Sequence, residues 1–157
     1  MNLSPQAQIV QKALSAHGLD LKVLELPAST RTAQEAALAI GCQVAQIVKS
    51  LIFRGRQSGL PFYIAVSGVN RVNEAQMEKL LGEPIEKATP EFVRQQTGFS
   101  IGGVPPVGHS QPMATQIDQD LFQWDVIWAA AGTPNAVFQL TPADLMTITR
   151  GRVISVT

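Results

Sequence analysis

Lys49 interrupts the apolar run Ile47-Val48-Lys49-Ser50-Leu51-Ile52-Phe53. At the two-residue period of a strand it shares a face with Ile47, Leu51 and Phe53, a face that reads as buried. Desolvation disfavours an ammonium and lowers its pKa unless an anion compensates, so a lysine is rarely enclosed in this setting without a purpose. The competing reading is an edge-strand lysine that blocks aggregation or reaches water along its aliphatic stem.

A second candidate is the loop Ser100-Ile101-Gly102-Gly103-Val104-Pro105-Pro106-Val107-Gly108-His109. Its three glycines permit close backbone approach and its two prolines stiffen the chain, so the remaining amides can be held outward as donors to an oxyanion or phosphate. A side chain added at Gly103 would then obstruct a substrate approaching the backbone. The alternative is a tight crossover between strands. His109 adds a titratable group, although a single histidine is commonly a structural hydrogen-bonder. Gly132-Thr133-Pro134-Asn135, between two apolar runs, by itself signals a turn.

Other chemistries lose ground. Cys42 follows the expected helix end Gly41 and has no marked thiolate environment, so it reads as a small core thiol. As the single cysteine it excludes an intramolecular disulfide and a multi-cysteine zinc site, which fits a reducing, cytoplasmic compartment. The chain has no Walker-type phosphate loop, no G-x-G-x-x-G after a strand, no H-E-x-x-H and no G-x-S-x-G. Twelve basic residues balance twelve acidic ones, so contact with nucleic acid must be local or assisted by a partner. No apolar run reaches the roughly 18 residues of a membrane span, and no signal-like segment opens the chain. A soluble, cytosolic protein is expected.

The elements that must position these residues are marked by caps. The 157 residues, 45% hydrophobic and 15% charged, suit one well-packed domain. Ser4-Pro5 opens a helix over Pro5–His17, and Leu21 to Leu26 reads as a strand. Thr32-Ala33-Gln34-Glu35 is a capping box for a helix that Gly41 ends. Ile47–Phe53 and Pro61–Ser67, separated by the polar Arg54–Gly59, form a hairpin. Asn73 caps a helix to Leu81, Thr89-Pro90 opens another that Gly98 ends, and Thr141-Pro142 opens the last. Met113–Ile117, Val126–Ala130, Ala136–Leu140 and Val153–Val156 are short strands. Without regular βαβα alternation, the fold class is α/β with a mixed, curved sheet and helices packed outside it.

In order and spacing, V-K-S-L-I-F around Lys49, G-G-V-P-P-V-G-H at 102–109 and A-A-G-T-P-N at 130–135 resemble the YbaK/ProX family of trans-editing aminoacyl-tRNA deacylases. The resemblance runs from about Thr30 to the C-terminus. It implies a single editing domain with a barrel-like mixed sheet surrounded by short helices. The implied reaction is hydrolysis of the ester joining a small amino acid, alanine or cysteine, to the acceptor end of a mischarged tRNA, typically proline tRNA. Lys49 is then the central catalytic residue. Gly102, Gly103, Val104, Pro105, Gly108, His109 and Gly132 line the substrate pocket, with Thr30, Ser50 and Ser67 as further substrate-binding candidates. Several family members carry glutamine at the position of His109, which favours substrate orientation over general-base work. Arg31, Arg54 and Arg56 are the expected tRNA-binding cations at the pocket mouth. Prolyl-tRNA synthetase or another synthetase is the expected partner, and no cofactor or metal is called for. Two alternatives stand beside this reading: a non-catalytic module of the same fold that binds an aminoacyl group, a nucleotide or a synthetase, and a hydrolase of small free esters.

Overall fold

A computed structural model describes residues 2–157. Helix α1 (Pro5–Ala16) leads to strand β1 (Val23–Glu25), helix α2 (Ala33–Ile40) and the hairpin β2 (Ile47–Gly55) and β3 (Pro61–Ser67). Helix α3 (Glu74–Leu81), strand β4 (Ile85–Lys87), helix α4 (Pro90–Thr97) and strand β5 (Ala114–Asp118) follow. The chain then forms β6 (Ile127–Ala130), β7 (Ala136–Leu140), α5 (Pro142–Thr149) and β8 (Arg152–Ile154). All strands join one mixed sheet in the order β1-β7-β6-β2-β3-β5-β8, with β4 paired to β2. This is the mixed α/β architecture expected from the strand and cap pattern.

The helix boundaries follow local chemistry. Asn73, Thr89 and Thr141 each accept a backbone N–H of their helix's first turn, and Gly41, Gly82 and Gly98 close their helices in the left-handed region. Two expected caps are only partly made. The Ser4 hydroxyl makes no capping bond, while its amide donates to Glu25 at 2.6 Å. Thr32 accepts the Glu35 amide, but the Glu35 carboxylate takes the Thr32 hydroxyl in place of its amide, so the box is half formed. Among the described residues, no helix is long and apolar enough to cross a membrane.

The core lies on both sides of β3. Tyr63 and Ala65 point into the larger cluster with α1, α5 and β5–β7, while Phe62, Ile64 and Val66 point into a smaller one with Met77 and Ile85. Strand β2 follows the same alternation: Val48 and Ile52 join the larger cluster, Phe53 the smaller, and Ile47 a third beneath α2. Lys49 therefore occupies the break between two apolar clusters on one face. The edge-strand reading fails, because β2 lies inside the sheet.

Candidate active site

The break widens because β2 has two different neighbours on one edge. Strand β6 pairs in parallel with Ile47 and Val48 only, and β4 pairs antiparallel with Phe53 to Gly55 only. The other edge of β2 is paired with β3 along its length, from Val48 opposite Ser67 to Arg54 opposite Pro61. Beyond β4, the Ala88 amide reaches the Ile52 carbonyl at 3.1 Å. Among the described residues, Lys49, Ser50 and Leu51 are left without a strand partner on that edge. A pocket of about 710 Å³ opens there, walled by Ala129 and Ala130 on one side and Lys87 and Ala88 on the other.

Lys49 is half-buried, and its ammonium donates to the Asn70 carbonyl. Burial is the largest influence on its pKa and pushes it below the ordinary lysine value; neighbouring Arg71 lowers it further, and Asp118 opposes them. Arg71 lies in the turn after β3 and lines the same pocket, as do Arg31 and Lys87. Glu74 is the single acid among the described lining residues, so the pocket is cationic at its polar end and apolar along Ile40, Ile47, Leu51, Val72 and Trp128.

The glycine-rich loop contributes through its first half. Gly102 and Val104 line the pocket, and among the described residues their amides have no acceptor. Arg31 lies over Gly102, with its Cγ 2.9 Å from where a Cβ would stand. Thr30 lines the pocket too and is tied to the β6–β7 turn, its amide donating to the Pro134 carbonyl at 2.6 Å and its hydroxyl at 3.0 Å.

Several expected positions lie elsewhere. Gly103 donates to the Ser100 carbonyl and accepts from the Gly132 amide, and a Cβ there would stand 2.9 Å from the Thr133 backbone. Gly103 and Gly132 thus join two turns behind the pocket wall, which corrects the expectation that Gly103 faces substrate. Pro105 is buried and Gly108 packs on α1, 3.5 Å from Ala13 when a Cβ is added. His109 bonds the Pro105 carbonyl and packs against the Tyr63 ring, with centroids 5.4 Å apart. Burial lowers its pKa, partly offset by that carbonyl. It does not line the pocket.

The hydroxyls of Ser50 and Ser67 are also engaged internally. Ser50 bonds the buried Tyr63 hydroxyl at 2.6 Å, and Ser67 donates to the Ala45 carbonyl at 2.8 Å. What Ser50 offers the pocket is backbone, at the unpaired edge of β2. Arg54 and Arg56 pair with Glu86 at 3.1 and 3.9 Å, and Arg54 also lies over the Phe92 ring. They are not part of the pocket lining. Arg71 and Lys87 are the cations that sequence reasoning missed. The hairpin register offered one usable signal for Arg71, since Val66 faces Lys49 and the turn after Ser67 must return beside it.

Because His109 supports the loop from behind, His109→Gln is expected to leave turnover within about threefold of wild type while lowering the melting temperature modestly, as the glutamine keeps one hydrogen bond and loses the ring packing. Steady-state rates with a denaturation curve check this. Abolished turnover in a fully stable protein would return the histidine to the chemistry.

Fold and pocket together define an editing domain: the profile of the aminoacyl-tRNA editing domain matches residues 27–148. The solved structure of a candidate trans-editing enzyme for prolyl tRNA synthetase superposes with a TM-score of 0.94 at 50% identity, covering 99% of each chain. The protein YwhH of Bacillus subtilis is 31% identical over 123 residues, 78% of each sequence. EbsC of Enterococcus faecalis, described as a candidate Cys-tRNA(Pro)/Cys-tRNA(Cys) deacylase, is 23% identical over 127 residues, 80% of this chain and 77% of its own. The chain belongs to the aminoacyl-tRNA editing domain family and is an aminoacyl-tRNA deacylase.

Proposed function

We propose that the whole chain acts as one trans-editing domain in the cytoplasm, removing alanine or cysteine misattached to proline tRNA, with Lys49 as its central functional residue. The observation that carries this reading is the Lys49 ammonium held at the unpaired edge of β2, in one pocket with Arg71 and with Gly102 and Val104, whose amides have no acceptor among the described residues. Lys49 and Arg71 neutralise the terminal phosphate and ester region, and the two amides receive the oxyanion formed when the ester carbonyl is attacked. The bond to the ribose oxygen then breaks, giving free amino acid and an intact tRNA hydroxyl. No histidine or thiol lines the described pocket. Water then supplies the oxygen of the released carboxylate, and its proton passes to the departing ribose oxygen directly or through the neighbouring ribose hydroxyl; attack by a substrate cysteine thiol instead gives a thiolactone that water opens to the free amino acid. A synthetase pocket gains only about 1–3 kcal/mol from a methylene-sized difference, which is why a second hydrolytic sieve is needed for side chains smaller than proline.

The similarity to a candidate trans-editing enzyme for prolyl tRNA synthetase and to EbsC supports proline tRNA, cysteine and a synthetase partner. The test is a panel of alanyl-, cysteinyl- and prolyl-tRNA, with aminoacyl esters lacking tRNA as controls, scored for released amino acid. Release of alanine or cysteine with prolyl-tRNA spared is expected. Equal hydrolysis of the free esters would favour the small-ester hydrolase, and binding without release would favour the non-catalytic module.

Recognition of tRNA rests on Arg31, Arg71 and Lys87 at the pocket, since Arg54 and Arg56 are already paired with Glu86. The slope of log affinity against log salt is expected to correspond to about two to four phosphate contacts. Tight binding by the isolated protein with a steep slope would contradict this.

A further inference from the structure

Asp118, at the end of β5, is 1% exposed, a costly place for a carboxylate unless its oxygens are fully engaged. One oxygen accepts the Ser67 amide at 3.0 Å and the Asn70 side-chain amide at 2.8 Å; the other accepts the Asp120 amide at 2.9 Å. Asn70 donates from the same nitrogen to Asp120 at 2.7 Å, so two carboxylates hold its side chain. The turn itself is fastened to the start of β2: the Asn70 amide reaches the Ser67 carbonyl at 2.9 Å, and the Gly68 amide reaches the Ile47 carbonyl at 2.8 Å. The backbone carbonyl of this clamped Asn70 accepts the Lys49 ammonium, and the next residue in the chain is Arg71.

We propose that Asp118 and Asn70 form a positioning unit for the cation pair Lys49 and Arg71, the buried carboxylate fixing the Asn70 side chain and the Asn70 carbonyl fixing the ammonium. The proposal rests on the reading of this pocket as the deacylase site. Its physical logic is that two like charges at one pocket end repel, and holding both toward a substrate requires a rigid anchor with a compensating negative charge behind it. The charged groups around Lys49 are Arg71 in the same turn, Asp118 and Asp120 behind Asn70, and Arg31, Lys87 and Glu74 on the pocket wall. Asp118 is the one that favours the ammonium against both burial and Arg71. A purely structural role, fastening the turn between Ser67 and Asp120, would leave the protonation of Lys49 untouched.

Asp118→Asn keeps the shape and removes the charge. In protein labelled with 13Cε-lysine, with the Lys49 signal assigned from its loss in Lys49→Arg, the Lys49 titration midpoint is expected to fall in Asp118→Asn. The kcat/KM for deacylation is expected to fall about tenfold, and the alkaline limb of its pH profile to move to lower pH with the midpoint, because the ammonium is the working form. An unmoved midpoint and limb in a folded Asp118→Asn protein would overturn the proposal. Asn70→Ala provides the second arm and decides alone should Asp118→Asn not fold. It leaves both carboxylates in place and frees the turn, so a severalfold lower kcat/KM and a broadened Lys49 resonance are expected, and wild-type values for both would overturn the clamp. Failure of the wild-type protein to deacylate any tRNA would refute the functional reading; the titration and line-shape arms need no substrate and still judge the clamp.

Discussion

Lys49→Ala is expected to lower kcat/KM for aminoacyl-tRNA hydrolysis at least about a hundredfold, equivalent to about 2.7 kcal/mol of lost transition-state stabilisation, without lowering the melting temperature. The two halves of this result share one cause. The ammonium is half-buried beside Arg71, and its pKa is held below the ordinary lysine value chiefly by burial. Its charged form is therefore less comfortable in the folded protein than in water, and removing it relieves that cost while deleting the cation proposed to face substrate. The same placement sets a pH dependence. With the ammonium as the proposed working group, the rate, corrected for spontaneous ester hydrolysis, is expected to fall as pH rises through a value below 10.5. Rates across the alkaline range, with thermal denaturation of both proteins, check the prediction. A folded and fully active Lys49→Ala protein would remove Lys49 from the mechanism.

Gly132→Val carries a large expected cost to the fold, about 3 kcal/mol or more. Gly132 has φ +100°, and a Cβ there would stand 2.8 Å from the Gln6 carbonyl oxygen and 3.2 Å from the Phe99 ring. Neither neighbour can yield, since one is backbone of α1 and the other a buried core ring. Gly103→Val meets the Gly132–Thr133 backbone in the same way and is expected to destabilise comparably. Gly108→Ala serves as the contrast: its φ of +79° disfavours a side chain, but the nearest atom is 3.5 Å away, so about 1 kcal/mol is expected. Denaturant unfolding of the three variants gives the ranking. Native stability with lost turnover in Gly103→Val would restore the idea that this glycine lies against substrate.

Most local signals in the sequence were legible because the chemistry was itself local, the Ser4 cap and the Thr32–Glu35 box being the exceptions. Asn73, Thr89 and Thr141 accept amides three residues ahead, and Gly41, Gly82 and Gly98 take up φ values of 83° to 86°. These are short-range hydrogen bonds and backbone preferences, and they mark helix boundaries wherever the chain goes. The hairpin of β2 and β3 was legible for the same reason, and its alternation placed Lys49 on a face with Ile47, Leu51 and Phe53. The ordered motifs then pointed to the family.

Tertiary structure decided what each motif faces. Ile85-Glu86-Lys87 has no recognisable strand pattern, yet it pairs with the end of β2, while β6 reaches back from beyond residue 126 to pair with its start. The unpaired edge that makes the pocket exists only because two short strands, remote in sequence, stop short of each other. The same long-range pairing turned Gly103 toward Gly132, sent His109 behind the loop onto Tyr63, and gave Arg54 and Arg56 a partner in Glu86. It also brought Arg71 to Lys49 through the turn that Asp118 holds from β5. A residue's type and its neighbours in sequence determine what chemistry it can perform and which element it joins. Which group it meets is settled by strand partners tens of residues away, because backbone pairing and burial are satisfied across the whole chain at once.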